Sequence, residues 1–153
     1  MKLVSGGQTG VDRAILDVAL ALGISCGGWC PKGRLAEDGQ IPGRYPLQET
    51  PTDSYDQRTE WNVRDADGTL VLSDEMPSGG TALAIEIAVR LGKPCLAVDP
   101  RTADAPAIQM WLAENRIVIL NVAGLRESEA PGIYEQARVF LLTLFAAPRV
   151  LGQ

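Results

Sequence analysis

Apolar residues in this chain gather in short unbroken runs, and between the runs they recur every three or four positions. "KLVS" at residues 2–5, "GISCGGW" at 23–29, "GTLVLS" at 68–73, "PCLAVD" at 94–99 and "RIVILNVA" at 116–123 are the unbroken runs. A strand with one face in water alternates apolar and polar residues, whereas a strand covered on both faces does not. The runs therefore predict buried strands of a parallel sheet.

Helical spacing fills the intervals. Val11, Ile15, Val18 and Leu22 fall on one face of a helix, Asp12, Arg13 and Asp17 on the other, and Gly23 follows where left-handed backbone ends a helix. "TALAIEIAVRL", residues 81–91, predicts a second helix, closed by Gly92 and then by Lys93-Pro94. A third starts after Asp104, a candidate N-cap, with Pro106 in its first turn and Ile108, Trp111 and Leu112 on its buried side. "QRTEWNVRDAD" (57–67) reads as a shorter helix and "GIYEQARVFLLTLF" (132–145) as the last.

Strand and helix alternate throughout, which predicts an α/β fold. It is one Rossmann-like domain over residues 1–153, a doubly wound and mainly parallel sheet of about five strands, with helices on both faces and right-handed crossovers. A strand order of 2-1-3-4-5 is expected, which sets the first and third runs side by side at the switch point. Residues 31 to 57 break the rhythm with prolines, glycines and charges. A loop of that length inside a compact domain reads as functional, with Tyr45, Leu47 and Tyr55 as anchors.

Composition narrows the function classes. The chain has 153 residues, 46% of them hydrophobic and 22% charged, as expected of a globular domain with a real core. No apolar run approaches the ~18 residues that span a bilayer, and the start "MKLVSGG" is no signal peptide, so a cytoplasmic protein without membrane contact is expected. A net charge of −5 argues against a nucleic-acid partner. Three cysteines, Cys26, Cys30 and Cys95, and no histidine predict free thiols and no metal site. Among them Cys30, beside Trp29 and before Lys32, is expected to be the accessible one.

Candidate chemistry lies in two glycine turns. "SGGQTG", residues 5–10, and "SGGT", residues 78–81, each follow an apolar run and open a helix. Glycine lets backbone N–H groups converge on an anion, and the helix start adds unpaired donors and the positive end of its dipole. Two such seats on one crevice point to a phosphorylated small-molecule ligand. Neither is a Walker A loop or a dinucleotide fingerprint. Lys32, Arg34 and Arg44 in the long loop are candidate lid cations. Arg58, Asn62, Arg64 and Trp61 lie just before the third run, and Asn121 and Gly124 end the fifth. Asp12, opening the first helix near the crevice, reads as a ligand for a ribose hydroxyl or a metal or, in the preferred reading, as a helix-dipole charge, and Asp99 as a group within reach of the ligand.

Taken together, "VSGGQTGVDRA", "GGWCPKGRLAEDG", "QRTEWNVRDAD", "SGGTALAIEIA" and "LNVAGLRESEAPGIY" resemble the molybdenum-cofactor carrier family. That family is a branch of the Rossmann-like superfamily that includes the lysine-decarboxylase-like phosphoribohydrolases. The resemblance implies a homo-oligomer, dimer or tetramer, that carries molybdenum cofactor (molybdopterin), molybdate, or a related phosphate-bearing ligand. The pocket it implies comprises Gly6, Gly7, Gln8, Thr9 and Gly10 with Gly79, Gly80 and Thr81, together with Lys32, Arg58, Asn62, Asn121 and Gly124.

The alternative is a nucleotide-processing enzyme that cleaves an N-glycosidic bond. Enzymes of that superfamily carry a motif resembling P-G-G-x-G-T-x-x-E, with a catalytic glutamate three residues past the threonine. Here Glu86 lies five residues past Thr81, and two extra helical positions turn it off the expected face. Without histidine there is no histidine-based triad, and no catalytic residue is assigned. A partner-binding module, with the apolar last helix as a dimer face, is the third reading.

Overall fold

The computed structural model describes residues 1–74 and 76–146, so the end of the expected domain, residues 147–153, lies outside the described residues. The elements in chain order are β1 (Lys2–Val4), α1 (Val11–Leu22), β2 (Ser25–Gly27), β3 (Trp29–Cys30), β4 (Leu35–Ala36), β5 (Gly39–Gln40), β6 (Gln48–Glu49), α2 (Tyr55–Asp65), β7 (Gly68–Leu72), α3 (Gly79–Arg90), β8 (Cys95–Val98), α4 (Ala105–Glu114), β9 (Ile119–Gly124) and α5 (Ile133–Ala146). The fold is α/β, built on a five-stranded parallel sheet.

Helices cover both faces. The larger core joins Leu3, Leu70, Leu72, Leu120 and Val122 of the sheet to Val11, Ile15 and Val18 of α1, Ile108 and Leu112 of α4, and Phe140, Leu141 and Leu144 of α5. On the other face Val63 of α2 packs with Ala84, Ile87 and Ala88 of α3. Every residue of β7 is buried, which is why that run reads as continuously apolar.

The strand order corrects the expected one. It is β2-β1-β9-β7-β8, so β9 separates the first and third runs. Asn121 of β9 stands beside Val4 on one side and Thr69 on the other. Apolarity along a run reports burial, not neighbours, and so left this pairing unspecified. Numbering the strands from β7 onward and continuing through β1 and β2 turns the same order into 2-1-3-4-5. The sheet is a permuted doubly wound sheet, and its switch point lies between β7 and β9.

The long loop is built into the domain. The run 23–29 stops at Gly28, and the chain continues through β3, which pairs with β6. β4 and β5 form a hairpin. Ile41 and Tyr45 are buried with Leu16, Cys30 and Ala36 in a core of their own. Arg34, expected in a lid, instead donates to the carbonyls of Pro42 (2.7 Å), Tyr45 (3.0 Å), Ile41 (3.1 Å) and Leu47 (3.3 Å) and so holds the loop's shape. Arg44 lies over the Tyr45 ring and donates to its hydroxyl at 2.6 Å.

Candidate functional site

The carboxyl ends of β1, β9 and β7 open on a cavity of 140 Å³. Gly6 and Gln8 line it from the first glycine turn, Gly80 and Thr81 from the second, and Asn121 to Gly124 of β9 lie between them. The two turns do face one crevice, as expected, with β9 as its floor. Helix α2 adds Tyr55, Asp56, Arg58, Thr59 and Asn62, helix α1 adds Asp12, and the loop after β9 adds Arg126 and Glu129.

Four N–H groups of the first turn meet the protein's own acceptors. The Gly7 N–H donates to Ser5 Oγ (3.4 Å), the Gln8 N–H to Asp12 Oδ2 (3.2 Å), the Thr9 N–H to Gln8 Oε1 (3.0 Å) and the Val11 N–H to the Leu125 carbonyl (3.2 Å). Gly10 has φ 79°, and a Cβ on it would stand 2.3 Å from the Leu125 carbonyl, so only glycine lets α1 start this close to the loop after β9. A Cβ on Gly7 would meet Leu47 and Ile41 at 2.6 and 3.0 Å. Gly7 and Gly10 thus shape the crevice without lining it. Thr9 also points away from it, donating its hydroxyl to Glu37 and accepting from the Glu127 N–H at 3.1 Å.

Arg58 and Asp12 form the charged wall. Arg58 is buried across Gly6, where a Cβ would lie 2.2 Å from its Cδ, and it donates to the Gly6 carbonyl at 3.2 Å. Its guanidinium stands 5.2 Å over the Tyr55 ring and 3.7 Å from Asp12 Oδ2. Burial pushes the Asp12 carboxyl above its ordinary range, while Arg58 and the Gln8 and Gly6 N–H groups pull the other way. Asp12 is therefore a buried carboxylate of the crevice wall.

The second turn has free donors. Ser78 caps α3 in extended conformation without a side-chain bond, and its carbonyl accepts from both the Thr81 (3.2 Å) and Ala82 (3.3 Å) N–H groups. The Gly79 and Gly80 N–H groups have no acceptor among the described residues. Thr81 is 4% exposed, and its hydroxyl has no hydrogen-bond partner among the described residues. A Cβ on Gly80 would meet nothing within 4 Å, so that backbone faces open space. Gly79, with φ 54°, is the first residue of α3 beside the cavity.

Other expected residues hold structure. The Asn62 amide accepts from the Trp29 N–H (2.8 Å) and donates to the Trp29 carbonyl (2.9 Å). Asn121 donates to Thr69 Oγ1 at 3.3 Å. A Cβ on Gly124 would lie 2.2 Å from the Leu72 carbonyl. Lys32 is exposed on the loop and does not line the crevice. Trp61 is half-buried edge-to-face on Trp29 at 4.8 Å, under the Arg64 guanidinium. Asp99 pairs with Arg101 at 2.7 Å, away from the cavity. Cys30, expected to be accessible, is 0% exposed in β3, and burial pushes its thiol pKa up, which disfavours the thiolate.

Sequence reading missed Tyr55, Asp56, Thr59, Arg126 and Glu129 as wall residues. Arg126 and Glu129 had a legible signal, since they follow Gly124 at the carboxyl end of a strand, where ligands of open sheets bind. They pair with each other at 3.3 Å.

No curated protein matches this chain. A crystal structure of a protein from Syntrophus aciditrophicus SB, named a putative molybdenum carrier protein, matches it with a TM-score of 0.91 and 45% identity over 94% of each chain. The model of the circularly permutated YpsA SLOG family matches residues 3–145, in keeping with the permuted strand order. The chain belongs to the circularly permutated YpsA SLOG family.

Proposed function

We propose that this protein is a carrier that binds molybdenum cofactor (molybdopterin) or a related phosphate-bearing small molecule, with the phosphate seated at the start of α3. The observation that carries this reading is the Thr81 hydroxyl, buried and without a partner among the described residues, beside the Gly79 and Gly80 N–H groups, which also lack an acceptor among them. A buried hydroxyl left unpaired is destabilising, and a phosphate oxygen accepting from it removes that cost while drawing on the helix dipole. Arg58 and Arg126 line the same cavity, where their positive charges stand beside the carboxylates of Asp12, Asp56 and Glu129. The similarity to a named molybdenum carrier supports a molybdenum-related cargo.

Glu86 is exposed on α3 and does not line the cavity, which favours binding over N-glycosidic cleavage. We further propose a single domain over residues 1–153, a homo-oligomeric and cytoplasmic protein, and no nucleic-acid or membrane partner. No helix among the described residues is long and apolar enough to cross a membrane.

Native mass spectrometry of the freshly purified protein, with the denatured supernatant scanned for molybdenum, pterin fluorescence and nucleotides, tests the reading. A stoichiometric pterin phosphate is expected. A nucleotide that the protein turns over on resupply would make it an enzyme instead.

A further inference from the structure

Resting on the phosphate seat proposed above, the geometry assigns Asp12 a second role in the same crevice. We infer that Asp12 makes the crevice selective for a phosphate monoester whose adjoining group donates hydrogen bonds, against bare tetrahedral oxyanions such as molybdate or sulfate.

The argument starts from what a buried carboxylate needs. The Asp12 side chain is only 12% exposed, yet it lines the cavity that also holds the Thr81 hydroxyl. An ionised carboxylate has about four acceptor positions. Oδ2 accepts from the Gln8 N–H at 3.2 Å, and the Gly6 N–H also favours the charged form. Arg58 does not fill the rest. It stands 3.7 Å away, beyond hydrogen-bond length, and donates to the carbonyls of Gly6 (3.2 Å) and Tyr55 (3.4 Å). Acceptor capacity is therefore left toward the crevice.

The crevice thus pairs donors at Thr81, Gly79 and Gly80 that are unfilled among the described residues with remaining acceptor capacity at Asp12. A bare oxyanion satisfies the donors but offers Asp12 no hydrogen bond and leaves the carboxylate unpaired. An ester with hydroxyl or N–H groups beside its phosphate satisfies both walls. The negative charge is common to both ligands, so the discrimination rests on the donors that the ester adds. Two sources share the chemistry: the hydroxyls of a sugar phosphate, and the 2-aminopyrimidin-4-one edge common to pterins and guanine.

Calorimetric titration of the full chain at pH 7.5 separates these cases. The probes are molybdate, sulfate, methyl phosphate, ribose 5-phosphate, GMP and AMP. Ribose 5-phosphate or GMP is expected to bind at least about tenfold more tightly than methyl phosphate or either bare oxyanion. Ribose 5-phosphate equal to GMP identifies the hydroxyls as the donors, and GMP above AMP identifies the aminopyrimidinone edge. Asp12→Asn, which keeps an acceptor for the Gln8 N–H, is expected to shrink that ratio by weakening the donor-bearing ester and strengthening molybdate. Binding of methyl phosphate as tight as ribose 5-phosphate, sensitive to Thr81→Val, would overturn the role of Asp12 and leave the seat standing. Binding of no phosphate at all would remove the seat itself. The ligand series on the unaltered chain decides the matter even if Asp12→Asn does not fold.

Discussion

The Asn62 side-chain amide embraces the main chain of Trp29, accepting from its N–H at 2.8 Å and donating to its carbonyl at 2.9 Å. The two residues are 33 positions apart, and this contact ties α2 to the strand that continues past Gly28. A Cβ on Gly28 would come within 2.2 Å of the Ser5 carbonyl, so the same junction packs against the end of β1. One polar side chain thus anchors the helix that supplies five residues to the crevice wall. Replacing it by alanine leaves a main-chain donor and an acceptor unpaired, at a cost of about 2–4 kcal/mol. Urea unfolding of Asn62→Ala should show that loss; an unchanged midpoint would mean that solvent serves Trp29 equally well.

The two glycine turns should respond oppositely to an added methyl group. Gly10→Ala places a Cβ against the Leu125 carbonyl in left-handed backbone, and a destabilisation of at least about 2 kcal/mol is expected. Gly80→Ala meets nothing and sits in the first turn of α3, so the protein should be as stable or more so. It should nevertheless bind ribose 5-phosphate more weakly, because the methyl group enters the crevice. Thermal melts and calorimetry on the pair check both halves.

Thr81→Val keeps the shape of the side chain and removes the orphaned hydroxyl. The unliganded protein should hold its stability or gain up to about 1 kcal/mol, since a buried group without a partner disappears. Affinity for ribose 5-phosphate should fall about tenfold, and Thr81→Ser should retain it. A loss of stability without a loss of binding would assign the hydroxyl to the fold and not to the ligand.

The long loop carries an alkaline signature. The Tyr45 hydroxyl donates to Asp17 Oδ1 at 2.7 Å and the Tyr134 hydroxyl to Asp17 Oδ2 at 2.5 Å. Burial and the Asp17 charge push the Tyr45 phenol up to about 12 and raise Tyr134 as well. An unfolded tyrosine titrates near ~10, so below that pH both states are neutral and the phenol adds no slope. From there to about 12 the unfolded chain loses its proton first, and stability falls as pH rises. Tyr45→Phe should cost about 1 kcal/mol at pH 7 and show a shallower decline between about pH 10 and 12 in denaturant unfolding. Parallel declines in the two proteins would refute the assignment.

These contacts explain what the sequence made legible and what it did not. The layer architecture followed from continuous apolar runs such as "GTLVLS", because burial on both faces leaves a mark at every position. Both glycine turns were legible as crevice-forming, because Gly6 and Gly80 sit where strand gives way to helix. Which donors stay free was not legible. The N–H groups of Gly7, Gln8, Thr9 and Val11 are met by Ser5, Asp12, Gln8 and Leu125, and a glycine pattern carries no record of those acceptors. Strand order was hidden for a similar reason: β9 lies between β1 and β7 through contacts made by residues more than 50 positions apart in sequence, as in Asn121 with Thr69. Arg34 looked like a lid cation because its role depends on four carbonyls brought round by the loop's own fold. Asn62, named from its position, lines the crevice, but its amide is committed to Trp29.

The most direct test of the account is an amide ¹H–¹⁵N titration of the unaltered protein with ribose 5-phosphate. The seat at the start of α3 predicts that Gly79, Gly80 and Thr81 shift first and furthest, with the Gly7, Gln8 and Thr9 amides moving less because their acceptors are already in place. Shifts concentrated at Gly6 to Gly10, or none at either turn, would contradict it.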